Sequence, residues 1–94
     1  MNHPCPVCAF PALREAPRSK SHGASYEICP SCGFQFGVSD DDGGFTYVIW
    51  RAAWKRRGAK WSSRSIAAPR GWNAPSQLAT LRAVRAKVAA KKKL

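Results

Sequence analysis

Cys5-Pro6-Val7-Cys8 and Cys29-Pro30-Ser31-Cys32 hold all four cysteines of the chain. Together they spell C-x2-C, twenty intervening residues and C-x2-C, a spacing inside the window of a four-thiolate metal site. Each pair makes a tight turn, or knuckle, that presents two sulfurs to one side of an ion, and two knuckles complete a tetrahedron. A tetrahedral S4 donor set suits Zn2+ and leaves no coordination position open, so the expected cofactor is one structural Zn2+ on Cys5, Cys8, Cys29 and Cys32. The competing arrangements are two disulfides or four buried thiols. Disulfide frameworks belong to secreted chains, and the N-terminus lacks the basic-then-apolar layout of an export signal. Gly33 follows the second pair, where a residue free to take positive φ lets backbone N–H groups turn towards sulfur. Ala9 stands at that place after the first pair, so the two turns need not be identical.

A chain of 94 residues buries only a modest core. A metal is therefore expected to contribute a large part of the folding free energy, because ligand deprotonation, metal binding and folding are coupled in small zinc modules. No stretch of 18 or more apolar residues occurs, and a cytoplasmic protein with reduced thiols is expected. The net charge of +11 is unevenly spread. Residues 1–50 carry three bases and all five acids, a formal −2, while residues 51–94 carry thirteen bases and no acid. A half so basic attracts polyanions, whether nucleic acid, an acidic protein or an anionic membrane surface; the alternative is a solvated, solubilising face.

Between the knuckles, Pro11, Pro17 and the polar tract from Arg18 to Ser25 predict a loop or irregular hairpin. Ser25 to Ile28 leads into the second knuckle and Phe34-Gln35-Phe36 leads out, which predicts a short hairpin around that turn. His3 and His22 lie near the thiols, but four cysteines already fill the shell. Ser39 to Asp42 reads as a helix start, with short acceptor side chains and negative charge at the positive end of the dipole. Three adjacent aspartates lack the spaced ligands of a calcium loop. The helix is predicted from Gly44 to Arg57, with Gly58 as its stop.

At 100° per residue this helix has two apolar sides, one of Phe45, Val48, Ile49 and Ala52 and one of Tyr47, Trp50 and Trp54, with Arg51 and Lys55 in a strip between them. One side packs on the knuckle hairpin; the other needs a cover from the C-terminal segment, another subunit or a ligand. Residues 59–73 form a connector pinned by Trp61 and Trp72. Asn73 caps a last helix predicted from Ala74 to Lys91, with Pro75 in its first turn. Its stripe of Leu78, Leu81, Val84 and Val88 is the natural cover for Tyr47, Trp50 and Trp54. The fold class is a small α+β domain: a zinc-ribbon module of two CPxC knuckles with short hairpins over 1–43, and a basic helical segment over 44–94 packed on it.

Four segments, CPVCAFPALREAP, SYEICPSCGFQFG, WKRRGAKWSS and PRGWNAPSQL, resemble a group of small bacterial cysteine-rich proteins built on paired CPxC knuckles (CPCC-type). In that group the knuckles precede an acidic helix start, a Trp-x3-Gly-x2-Trp segment (Trp54, Gly58, Trp61) and a Trp-Asn/Asp-x3-Gln-Leu segment (Trp72, Asn73, Gln77, Leu78). The resemblance covers residues 4–80 and implies a zinc-ribbon or rubredoxin-like metal site at Cys5, Cys8, Cys29 and Cys32. It implies no activity. Ala9 in place of glycine and the lysine-rich tail depart from the pattern.

No phosphate-binding glycine loop and no metal-bound His/Glu constellation occurs, and thiolates inside a closed zinc shell are not free nucleophiles, so no enzyme is expected. The leading expectation is a non-catalytic adaptor that binds nucleic acid through Lys55, Arg56, Arg57, Lys60, Arg82 and Arg85, with Trp54, Trp61 and Trp72 as stacking surfaces. The alternatives are a module that docks an acidic protein partner and rubredoxin-like electron transfer by iron in the same four thiolates.

Overall fold

In a computed structural model, residues 2–84 are described; Arg85, Lys87, Val88 and the Lys91-Lys92-Lys93 run lie outside them. The chain builds two knuckles, a two-stranded antiparallel hairpin between them, and two helices that return to cover them. The first knuckle is closed by an antiparallel bridge between His3 and Leu13, the second by one between Ile28 and Gln35. The latter, with Tyr26 N–H on Phe36 O and Phe36 N–H on Glu27 O, is the hairpin expected around the second turn. The intervening loop contains β1 (Arg18–Ser19) and β2 (Gly23–Ala24), paired with Arg18 opposite Ala24.

The core lies between the knuckles and the second half of the chain. Val7, Leu13, Phe34 and Phe36 are fully buried around the four cysteines, with Phe10 and Trp54 closing the edges. Burying a side chain such as Phe34 or Leu13 is worth about 1.5–3 kcal/mol, so this short list supplies little once chain entropy is charged against it.

Helix α1 runs from Tyr47 to Arg56, shorter at its start than the sequence predicts. Its cap is Thr46, whose Oγ1 accepts from Ile49 N–H at 3.1 Å, and not the Ser39–Asp42 stretch. That stretch forms a separate turn: Ser39 Oγ accepts from Gln35 N–H, and Asp40 Oδ1 accepts from Gly37 and Asp41 N–H. Arg18 on β1 pairs with Asp40 at 2.8 Å and Asp41 at 2.6 Å. Desolvation pushes the Asp40 carboxyl up, but the hydrogen bonds from Arg18, Gly37 and Asp41 outweigh it and hold the group below its ordinary range. Asp40 and Asp41 are thus spent on tying the hairpin to the turn.

At the other end, Gly58 N–H bonds Lys55 O and Ala59 N–H bonds Trp54 O, with Gly58 at φ 97°. This paired arrangement is a Schellman stop, which satisfies the last carbonyls only if the residue after the cap is left-handed.

The face of α1 that meets the knuckles is the aromatic one. Tyr47 and Trp50 pack edge-on against Phe34 at 5.3 and 5.4 Å, so the second knuckle covers this side, and Leu78 of the last stripe packs on the same cluster. Trp61 bridges Phe10 and Trp72 at 5.6 and 5.2 Å, pinning the connector as expected. Asn73 caps α2 (Ala74–Leu78) by accepting from Ser76 N–H. The predicted continuous last helix is broken after Leu78. Thr80 Oγ1 donates to Gln77 O at 2.7 Å, a side-chain bond that competes with the helical ladder, and helix resumes over 81–84. Leu78 packs on the core and Val84 is buried, in line with the inner stripe.

Gly58→Ala leaves space for the added methyl, whose nearest neighbour is the Lys60 side chain at 3.7 Å, so only backbone strain is introduced. Equilibrium denaturation is expected to register a loss of about 1 kcal/mol, the cost of left-handed backbone at a residue with a Cβ. Unchanged stability would show that the Schellman stop is not needed to end α1.

Candidate metal centre

Each knuckle repeats one hydrogen-bond pattern. Ala9 N–H bonds Cys5 O and Cys5 N–H bonds Phe10 O, both at 2.8 Å; Gly33 N–H bonds Cys29 O at 2.8 Å and Cys29 N–H bonds Phe34 O at 2.9 Å. Ala9 takes φ 71°, close to the 82° of Gly33, so alanine accepts the left-handed conformation and the two turns match where the sequence allowed them to differ. Tertiary packing holds it there, because Ala9 is buried beside the sulfurs.

The matched turns bring the Sγ atoms of Cys5, Cys8, Cys29 and Cys32 within 4.8 Å of one another, all buried. All four are free thiols, and Cys8 Sγ lies 3.6 Å from Cys29 Sγ. That distance is far longer than a disulfide and close to the edge of about 3.8 Å that a tetrahedron has when Zn–S is about 2.3 Å. The donor set therefore fits a metal ion of tetrahedral preference. Burial, with hydrogen bonding to Cys29, pushes the Cys5 thiol up, and sharing with Cys29 pushes Cys32 up. Hydrogen bonds from Cys29, Cys32 and Cys5 pull Cys8 strongly down. His3 and His22 are not among the clustered ligand atoms; His22 Nδ1 pairs with Ser21 Oγ.

Three consecutive carbonyls of each knuckle accept hydrogen bonds from the second half of the chain. In the first, Arg51 donates Nε to Val7 O at 2.6 Å and Nη2 to Pro6 O at 3.1 Å, and Gln77 donates Nε2 to Cys8 O at 3.0 Å. In the second, Trp50 Nε1 donates to Cys32 O at 2.9 Å, while Ser62 and Ser63 N–H groups take Pro30 O and Ser31 O. Gln77 also donates to Ser31 Oγ at 2.9 Å, so one amide joins the two knuckles, and Trp72 Nε1 fixes that amide by donating to Gln77 Oε1 at 2.8 Å. Sequence reasoning missed Arg51 and the role of Gln77. The Trp-Asn-x3-Gln-Leu segment was the signal for Gln77: Asn73 caps the helix, Trp72 orients the amide, and Gln77 reaches the cysteines. Nothing in the sequence marks Arg51, which a helical wheel places in a polar strip.

Of the residues expected to meet nucleic acid, Lys55, Arg56 and Arg57 are exposed at the end of α1, Lys60 is exposed beyond the Gly58 stop, and Arg82 is exposed on the segment 81–84. Arg85 lies outside the described residues. The tryptophans expected to stack on bases are committed elsewhere. Trp54 is 3% exposed with its Nε1 on Lys60 O, and the half-buried Trp61 and Trp72 pack edge-on against each other. Among the described residues no helix is long and apolar enough to cross a membrane.

No family model matches the chain, and no solved structure matches it. Among curated proteins, it is similar to the uncharacterized protein YoaQ of Bacillus subtilis (strain 168), 40% identical over 38 residues that make up 39% of this chain and 32% of that protein. The match thus covers about a third of the relative's length.

Gln77→Leu keeps the volume but leaves Ser31 Oγ, which is fully buried, and Cys8 O without their donor. The expected cost is about 2 kcal/mol, the desolvation of stranded polar groups. Loss of the bond across the knuckles is also expected to speed extraction of bound metal by a chelator, measured against the parent protein. Equal extraction rates would mean that the amide bridge does not hold the knuckles together.

Proposed function

We propose that this protein is a non-catalytic zinc-ribbon adaptor, in which one structural Zn2+ on Cys5, Cys8, Cys29 and Cys32 fixes the fold and the basic second half binds an anionic partner, nucleic acid first. The observation that carries the metal part is the closed, buried cluster of four sulfurs. Four thiolates leave no position for substrate, which favours a structural ion over a catalytic one. The resemblance to paired CPxC-knuckle proteins supports the same ligand set. Zinc is preferred to iron because nothing beyond the thiolates speaks for electron transfer, and a colourless protein with one zinc separates the two. A cytoplasmic location suits the reduced thiols.

The partner assignment is supported by charge alone. Thirteen bases without one acid follow residue 50, and Lys55, Arg56, Arg57, Lys60 and Arg82 all reach solvent. Because Trp54 is buried and the half-buried Trp61 and Trp72 pack on each other, binding is read as contact with phosphates and not as base stacking.

Cys29→Ser replaces a soft thiolate with a hydroxyl that does not substitute for it. The variant is expected to lose its metal and melt without a cooperative transition; metal content and melting like the parent's would refute the four-thiolate site.

For the basic half, a titration of single-stranded RNA or DNA across salt concentrations is expected to give a slope of about −3 to −5 in log K against log salt, the counterion release of four to six phosphate contacts. Arg57→Glu with Lys60→Glu is expected to flatten that slope with zinc content unchanged. Absence of binding at low salt, for duplexes as well as single strands, would return the charge to a docking or solubilising role.

A further inference from the structure

Ser31 is fully buried inside the second knuckle, at the place that the equally buried Val7 fills in the first. A hydroxyl there carries a desolvation cost that valine does not, and it is offset only by hydrogen bonds. Trp72 Nε1 is a donor only, so the Gln77 atom 2.8 Å from it is the amide oxygen, and the amide nitrogen faces the knuckles. That nitrogen has two protons, one for Cys8 O at 3.0 Å and one for Ser31 Oγ at 2.9 Å. Ser31 Oγ is therefore an acceptor of Gln77, and its own proton is left to give. Among the described residues no oxygen or nitrogen takes it. The group that does is the sulfur of Cys8 in the other knuckle, whose thiolate form is favoured by a hydrogen bond from the Ser31 side chain.

We propose, on a reading that rests on the four-thiolate site, that Ser31 is a positioning residue of the metal centre: its hydroxyl, held by Gln77, donates to Cys8 Sγ across the knuckles and tunes that sulfur's bond to the ion. A proton shared with sulfur draws density from its lone pairs and lowers their energy. Val7 has no polar side-chain atom, so no matching side-chain bond runs from the first knuckle to Cys32, and the two halves of the site differ although their backbone turns match. Through Ser31, Gln77 and Trp72 in turn, the Cys8 sulfur is joined to the second half of the chain.

Cobalt and cadmium in place of zinc make this bond visible. In the full chain loaded with Co2+, Ser31→Ala is expected to move the sulfur-to-cobalt charge-transfer bands to longer wavelength, because the Cys8 lone pairs rise in energy when the proton is gone. The knuckle backbone does not depend on that side chain, since the Ser62 and Ser63 N–H groups hold Pro30 O and Ser31 O. Gln77→Leu keeps the hydroxyl, and its bands are expected to stay with the parent's even while its metal is extracted faster. The parent loaded with a magnetically active cadmium isotope is expected to show a cross-peak between the ion and the Ser31 hydroxyl proton, carried through the hydrogen bond to Cys8. Bands in Ser31→Ala that coincide with the parent's, or that move as far in Gln77→Leu, would overturn the proposal. So would a cadmium-loaded parent without the cross-peak, which decides the matter if Ser31→Ala takes up no ion. A parent that binds neither ion through four sulfurs would overturn the site itself, and the role of Ser31 with it.

Discussion

The structure depends on four sulfurs gathered in a buried space. Left to themselves they gain little from proximity, since thiols hydrogen-bond weakly. As thiolates, two negative charges 3.6 Å apart would repel by about 5 kcal/mol at an effective dielectric of about 20. A divalent cation at the centre reverses the sign of that interaction, and the distances fit one. The apolar core of a chain of this length is modest, so a metal at the cluster would add substantially to what packing supplies.

The rest of the molecule is arranged to keep those turns in shape. Left-handed backbone at Ala9 and Gly33 closes each knuckle, and donors from between Trp50 and Gln77 take the outward carbonyls. Each such bond is worth only about 1 kcal/mol net, but a carbonyl left dry and unpaired would cost more. On the proposed four-thiolate site, loss of the metal would therefore release the C-terminal half along with the knuckles, because α1, the connector and α2 dock on the knuckle backbone. On the N-terminal side, Asp40 and Asp41 tie the turn to the hairpin through Arg18.

Much of this was legible in the sequence, for identifiable reasons. Spacing alone brought the four cysteines together, Gly58 marked the end of α1, and Asn73 with Pro75 marked the start of α2. The misreadings came where local chemistry had a second use. Ser39 to Asp42 resemble a helix cap, but Arg18, far away in sequence, claims two of the aspartates, and Thr46 caps instead. A helical wheel shows that α1 has two apolar faces without showing which one the knuckles take. The break after Leu78 turns on one threonine hydroxyl, and the clamp of Arg51 on Pro6 and Val7 spans more than forty residues of sequence.

The central claim is that one metal ion organises both halves of the chain. It is tested most directly by following tryptophan emission while a strong chelator removes the metal at neutral pH under reducing conditions. Trp50 and Trp54 are held on the knuckles and in the core, so emission is expected to move to the red in step with metal release and to return when Zn2+ is restored. Complete removal of the metal with no change in emission would contradict the account.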